Sequence, residues 1–194
     1  MPDGALPQLD RANADALLTL PNLITFARLC AVPAAVWLVI DHRLGAAFVL
    51  FLAAGLSDAV DGWLARRRGG GSAVGALLDP VADKALLMTM YVTLAAVDRV
   101  PIWLAILVVF RDLVIVGGVI VLGLLGRQVV IRPLFVSKVN TALQIGLVAL
   151  TLFLAGAGPR GAAMADGLAL LTLAVAASTL ASGAAYVWRA ARGP

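Results

Sequence analysis

The chain has 194 residues, 62% of them hydrophobic and 13% charged, with a mean hydropathy of +0.99. Soluble domains are about 45–50% apolar and about 25% charged, so the composition excludes an ordinary soluble domain and fits one integral membrane domain of several spans. A net charge of +4 and a pI near 10.0 fit arginines at the cytoplasmic ends of spans, beside anionic lipid head groups. No stripe of basic and aromatic residues supports nucleic-acid binding.

Residues 1–20 are polar and include Asp3, Asp10 and Asp15. No basic start runs into an apolar core, so this is not a signal peptide. The stretch "DALLTL" before Pro21 reads equally as a short interfacial helix or as a tail with one helical turn. A single membrane domain over 21–194 is expected beyond it. Six apolar segments can be drawn there, at 22–41, 44–67, 77–98, 101–125, 136–157 and 163–188. Each is near or above the ~20 residues that cross a bilayer core. No strand alternation competes, and in lipid a helix satisfies its own backbone groups. The expected fold is therefore an all-α integral membrane protein of six transmembrane helices.

Features between and within the segments are read in the same order. Cys30, the only cysteine, excludes an internal disulfide and is read as a small packing residue in the first span. His42 lies between spans 1 and 2, where a solvated turn residue is expected. The stretch "RRRGGGS" at 66–72 joins spans 2 and 3 as a flexible turn, since no P-loop lysine pattern follows. Gly117, Gly118 and Gly123 in span 4 are expected to allow close helix packing. With six spans, Arg11, Arg66, Arg67, Arg68, Arg127, Arg132, Lys138, Arg189 and Arg192 fall on one side. Only Arg43, Arg99 and Arg160 fall on the other. That bias puts both termini in the cytoplasm, and the inner membrane of a bacterium is the expected location.

All eleven acidic residues are aspartate, and four lie in "DAVDGWLARRRGGGSAVGALLDPVADK" at 58–84. Asp58 and Asp61 are three residues apart near the cytoplasmic end of span 2. Asp79 and Asp83 are four apart in what read as the first turns of span 3. Each pair therefore shares a helix face, and an antiparallel hairpin of spans 2 and 3 would bring the pairs to one depth. Pro80 fits a helix start, where the dipole favours Asp79; Asp58 and Asp61 meet the unfavourable end of theirs. Clustered, part-buried carboxylates repel one another and favour their neutral forms. Arg66 and Lys84 offset only part of that. Pairing of Asp58 with Arg66 or Asp79 with Lys84 would explain one or two aspartates but not four. Divalent cations answer the problem better, and an all-oxygen donor set suits Mg²⁺, or Mn²⁺ in its place. Asp58, Asp61, Asp79 and Asp83 are thus the candidate metal ligands, and ionisable groups in a membrane are functional by default.

The spacing Asp58, Asp61-Gly62, Ala65-Arg66, Gly75, Asp79, Asp83 resembles the complete signature of the CDP-alcohol phosphotransferase family, with no departure. The resemblance implies six membrane helices with the active site at the cytoplasmic interface. It implies transfer of a phosphatidyl or similar group from a CDP-linked donor to an alcohol, releasing CMP. By the family pattern, Asp58, Asp61 and Asp79 would hold one or two metals and Asp83 would be the general base. Gly62, Ala65, Arg66 and Gly75 would border the nucleotide. "PNLITFAR" resembles the nucleotide-contacting start of these enzymes, with Asn22, Thr25 and Arg28 on one face; Asn22 reads equally as a helix cap. Arg28, Arg111 and Lys138, the last beside Ser137, are candidates for acceptor or donor phosphate. Arg111 with Asp112 reads alternatively as a structural pair.

Two further stretches, "YVTLAAVDRVPIWLAILVVFRDLVIVGGV" and "IRPLFVSKVNTALQ", are similar to the mitochondrial-type cardiolipin synthase branch of that family. That branch implies CDP-diacylglycerol as donor and phosphatidylglycerol as acceptor, and enzymes of this kind often form homodimers. The alternative is a phosphatidylglycerophosphate synthase using glycerol 3-phosphate, which typically has glutamate where this chain has Asp112. A divalent-cation transporter would need acids along a through-path, and the outer halves of these spans offer almost none.

Overall fold

The structure is a computed structural model that describes residues 20–68, 73–124, 135–158 and 162–192. Side-chain surroundings are described for 26–57, 84–118, 135–158 and 163–189. Six helices follow in chain order: α1 Leu20–Ile40, α2 Leu44–Arg68, α3 Ala73–Ala96, α4 Ile102–Leu124, α5 Phe135–Gly156 and α6 Ala162–Arg192. No strand occurs among the described residues. The apolar segments foresaw these helices closely, because a long run of apolar residues without turn formers has no better way to satisfy its backbone in lipid.

One boundary differs in a way that matters. Helix α3 begins at Ala73, not at residue 77, because "AVGALL" carries helix formers up to the motif. Asp79 and Pro80 therefore lie in the helix interior rather than in its first turn. The dipole of the helix start falls off within a turn, so it does little for Asp79. A proline here also removes one intrahelical N–H. The "DALLTL" stretch and residues 69–72 of the "RRRGGGS" turn lie outside the described residues.

Two turns are built alike. His42 and Asp98 adopt φ of 56° and 55°, and the next residue closes back on its helix. The Arg43 N–H donates to the Leu38 carbonyl at 2.9 Å, and the Arg99 N–H to the Leu94 carbonyl at 2.8 Å. Each is a left-handed helix cap that satisfies carbonyls the helix end leaves open. His42 is exposed, as a solvated turn residue should be.

Helix α1 packs against α2 and α3, α2 against α5, α3 against α4, α5 against α6, and α4 against α6. The core runs through Val39, Met90, Tyr91, Leu94, Leu104, Leu147, Leu152 and Val175, all essentially buried. The α2–α5 register is set at one end by Gly45 and Gly156, where a Cβ on Gly156 would lie 2.8 Å from the Gly45 Cα. One turn on, Phe48 and Phe153 pack with ring centroids 5.4 Å apart.

Polarity is inverted relative to a soluble protein. Phe26, Trp37, Ile106, Phe110, Leu170 and Trp188 are exposed, while Arg28, Arg111, Asp112, Asn140 and Gln144 are buried. Two stretches, Phe135–Gly156 and Ala163–Arg189, are long and apolar enough to cross a membrane. Shorter apolar stretches run over Phe26–Ile40, Leu44–Ser57 and Lys84–Ala96. Two packing expectations are corrected. Cys30 is exposed, on the outer side of α1. Gly117 and Gly118 have open space where a Cβ would stand, so they mediate no close approach; Gly45 and Gly156 do. Gly123 has no described surroundings.

Candidate active site

The motif residues fall on two helices. Asp58, Asp61, Gly62, Ala65 and Arg66 lie in α2, and Gly75, Asp79 and Asp83 in α3; Asn22 and Thr25 lie in the first turns of α1. Their side chains are outside the described residues, but the backbone fixes their depth. Counting along α2 from the Phe48–Phe153 contact puts Asp61 level with Asn140 of α5. Tyr91 Oη donates to the Gln144 carbonyl at 3.2 Å, and counting back along α3 puts Asp83 level with Val136. The two levels differ by about four residues, or roughly 6 Å at 1.5 Å per residue. As a donor set, four carboxylates are of the all-oxygen kind that suits a hard divalent cation.

Beside this region the structure describes a buried ionic cluster. Asp112 is 3% exposed and takes two cations. Lys84 Nζ, from α3, lies 2.9 Å from its Oδ2; Arg111 Nη1 lies 2.5 Å from its Oδ1. Arg111 Nη2 donates to Ser137 Oγ at 2.8 Å and to Ser182 Oγ. The guanidinium also sits 5.8 Å from the Tyr186 ring centre, a favourable cation–π placement. One knot thus joins α3, α4, α5 and α6. A buried charge left unpaired is costly, and among the described residues the knot sets two cations against one carboxylate.

The knot bears on two sequence expectations. Arg111 and Asp112 form the pair that is one of the two readings of them, and Arg111 is buried. Lys84 pairs with Asp112 across helices, while the side chain of Asp79 lies outside the described residues. Arg28 is 3% exposed, inside the bundle on α1. Lys138 is exposed at the start of α5, next to Phe135 at 79% exposure and Val136 at 39%.

A second polar layer lies one turn deeper. Asn140 Oδ1 accepts from Ser178 Oγ and Thr179 Oγ1, both at 2.8 Å. Gln144 Nε2 donates to Thr179 Oγ1 at 3.4 Å. Sequence reading missed this layer and the α6 partners. The signal was present: Ser137, Asn140 and Gln144 recur at three and four residues, as do Ser178, Ser182 and Tyr186 at four, each set on one helix face.

Comparison with known proteins bears on what this assembly is. The chain is 35% identical over 193 residues to a cardiolipin synthase (CMP-forming)/mitochondrial hydrolase fusion protein of Schizosaccharomyces pombe, covering 92% of this chain and 32% of that protein. It is 34% identical over 187 residues to a chloroplastic CDP-diacylglycerol–glycerol-3-phosphate 3-phosphatidyltransferase of Oryza sativa, covering 87% and 56%. It is 33% identical over 150 residues to human cardiolipin synthase (CMP-forming), covering 69% and 50%. The chain thus spans between about a third and just over half the length of these relatives. The family model for CDP-alcohol phosphatidyltransferase matches residues 18–183, a stretch that takes in every motif aspartate and Lys84, Arg111, Asp112, Ser137 and Ser182 of the ionic knot. With that match over most of its length, the chain belongs to the CDP-alcohol phosphatidyltransferase family.

Proposed function

We propose that the protein is a cardiolipin synthase, transferring a phosphatidyl group from CDP-diacylglycerol to phosphatidylglycerol and releasing CMP. The observation that carries this reading is the similarity to cardiolipin synthases of fungal and animal origin, which extends to one of bacterial origin, from Streptomyces coelicolor, in a chain that keeps every position of the motif. The rice relative acts on glycerol 3-phosphate by its name, so phosphatidylglycerophosphate synthesis is the second reading.

The acceptor hydroxyl attacks the phosphatidyl phosphorus; a new P–O bond forms as the bond to the CMP phosphate breaks. Asp83 takes the hydroxyl proton, as a positioned general base. Asp58, Asp61 and Asp79 would hold Mg²⁺ or Mn²⁺, which when bound neutralises diphosphate charge and eases departure of CMP. Gly62, Ala65, Arg66 and Gly75, with Asn22 and Thr25 of α1, border the cytidine nucleotide. Arg28, Arg111 and Lys138 supply positive charge for the phosphodiester of donor or acceptor. Phe135 and Val136, exposed at the start of α5, line an apolar approach for the acceptor's acyl chains. The six helices all span the bilayer, in one domain over 21–194, with both termini and the site on the cytoplasmic side of an inner membrane. The positive-inside bias and the inverted surface polarity support that placement.

The test is product identification by mass spectrometry, using purified protein, CDP-diacylglycerol and either acceptor. Phosphatidylglycerol should yield cardiolipin and CMP, and glycerol 3-phosphate little or nothing. Consumption of glycerol 3-phosphate with phosphatidylglycerol ignored replaces this reading with the second.

A further inference from the structure

The polar contacts of α3 are unevenly placed. Toward its C-terminal end the helix is held by Leu86, Leu87, Met90 and Leu94, all buried. Such packing is non-directional and resists small rotations weakly. The Tyr91 hydroxyl makes one directional bond there, to the Gln144 carbonyl, two turns from Asp83. Near Asp83 itself the described directional tie is Lys84 Nζ to Asp112 Oδ2, at 2.9 Å. Asp112 is itself immobilised, being 3% exposed and held by Arg111 on its other oxygen. Arg111 in turn is fixed to α5 and α6 through Ser137 and Ser182.

We propose that Lys84 is a positioning residue: its ion pair with buried Asp112 pins the turn of α3 that carries Asp83 to the rest of the bundle. The magnitude makes the pin consequential. At a side-chain radius of about 5–6 Å, a 20° roll of α3 moves a carboxylate by about 2 Å, and misplacement of a reacting group by about 1 Å can cost about 10²-fold in rate. Lys84 side-chain exposure of 40% means the pair lies at the rim of the knot, where losing the lysine still leaves Asp112 paired with Arg111. The fold therefore does not depend on it, and the rotational setting of Asp83 does. This inference rests on Asp83 being the base of the proposed reaction.

The experiment compares Lys84→Met, Lys84→Gln and Lys84→Arg, with CMP release measured using whichever acceptor the wild type takes. Lys84→Met and Lys84→Gln should lower kcat by about 10- to 100-fold, leave KM for both lipids within about 3-fold, and keep the thermal midpoint of the purified protein. Lys84→Arg, which keeps charge and reach, should recover most of the turnover. A rise in acceptor KM with kcat kept makes Lys84 a phosphate-binding residue and overturns the proposal; so does wild-type kcat in both uncharged variants. A collapse of the thermal midpoint in both also overturns it, because the pair would then be structural. Asp83→Asn run in parallel separates the two claims. If that variant turns over normally, the assignment of the base has failed. If it is inactive while Lys84→Met is fully active, only the pin has failed.

Discussion

At the scale of single residues, the roles proposed for the four motif aspartates can be separated by substitution. Asp58→Asn removes one ligand charge from the proposed cation site while keeping shape. Turnover should fall severely although the protein still inserts and purifies. Chelation of the wild type should abolish activity, with Mg²⁺ or Mn²⁺ restoring it; full activity in EDTA would remove the metal from the mechanism. Asp83→Asn keeps donor and metal binding and loses proton acceptance, so turnover should fall by about 10²–10⁴. Loss of CDP-diacylglycerol binding in that variant would make Asp83 a ligand instead. The aspartates were legible in the sequence because carboxylates are rare in such a chain and their spacing is diagnostic. The contact of Lys84 was not, because its partner Asp112 is 28 residues away and nothing local distinguishes it from the nearer Asp79. Arg111 was legible as a buried charge. Its ties to Ser137 and Ser182 needed the fold, since serines in an apolar helix usually bond their own backbone.

At the scale of helices, hydropathy foretold six elements and placed nearly every end. It failed at the start of α3, where Ala73, Val74 and Ala76 carry the helix on through Gly75. It also failed over which glycines matter. Gly117 and Gly118 sit in a long apolar helix and looked like packing positions, yet their Cβ positions are open. The close approach is at Gly156, whose Cβ direction meets the Gly45 backbone, while a Cβ on Gly45 would meet nothing within 4 Å. Sequence carries no record of which way a glycine faces. The asymmetry gives a prediction. Gly156→Ala forces backbone apart and should destabilise by about 1–3 kcal/mol. Gly45→Ala should be neutral or slightly stabilising, by up to about 1 kcal/mol, from reduced chain entropy. Thermal melts of the two purified variants check the difference, and equal melts would refute the geometry.

At the scale of the molecule, the surface tells which side is wet only at its ends. Trp37 and Trp103 are exposed near the turns formed after α1 and before α4, and Trp188 is exposed near the opposite end of α6. Tryptophans at both levels match the aromatic belts of membrane interfaces. With the arginine bias, this arrangement predicts the outcome of thiol labelling in a Cys30→Ser background. Asp41→Cys and Ala157→Cys, both at exposed turn positions, should react with an impermeant maleimide in intact spheroplasts. Ser72→Cys should react only after lysis. The reverse pattern would invert the orientation and put the site on the wrong side for a CDP-linked donor.

The glycine contact between α2 and α5 also acts as a fulcrum. Asp61 lies sixteen residues along α2 from Gly45, a lever arm of about 24 Å at 1.5 Å per residue. A swing of only about 5° at that point carries the motif end of α2 through about 2 Å, a displacement on the scale that decides phosphoryl-transfer geometry. On the proposed mechanism, a backbone contact at the far end of α2, made without any side chain, thereby bears on how accurately Asp58 and Asp61 are delivered.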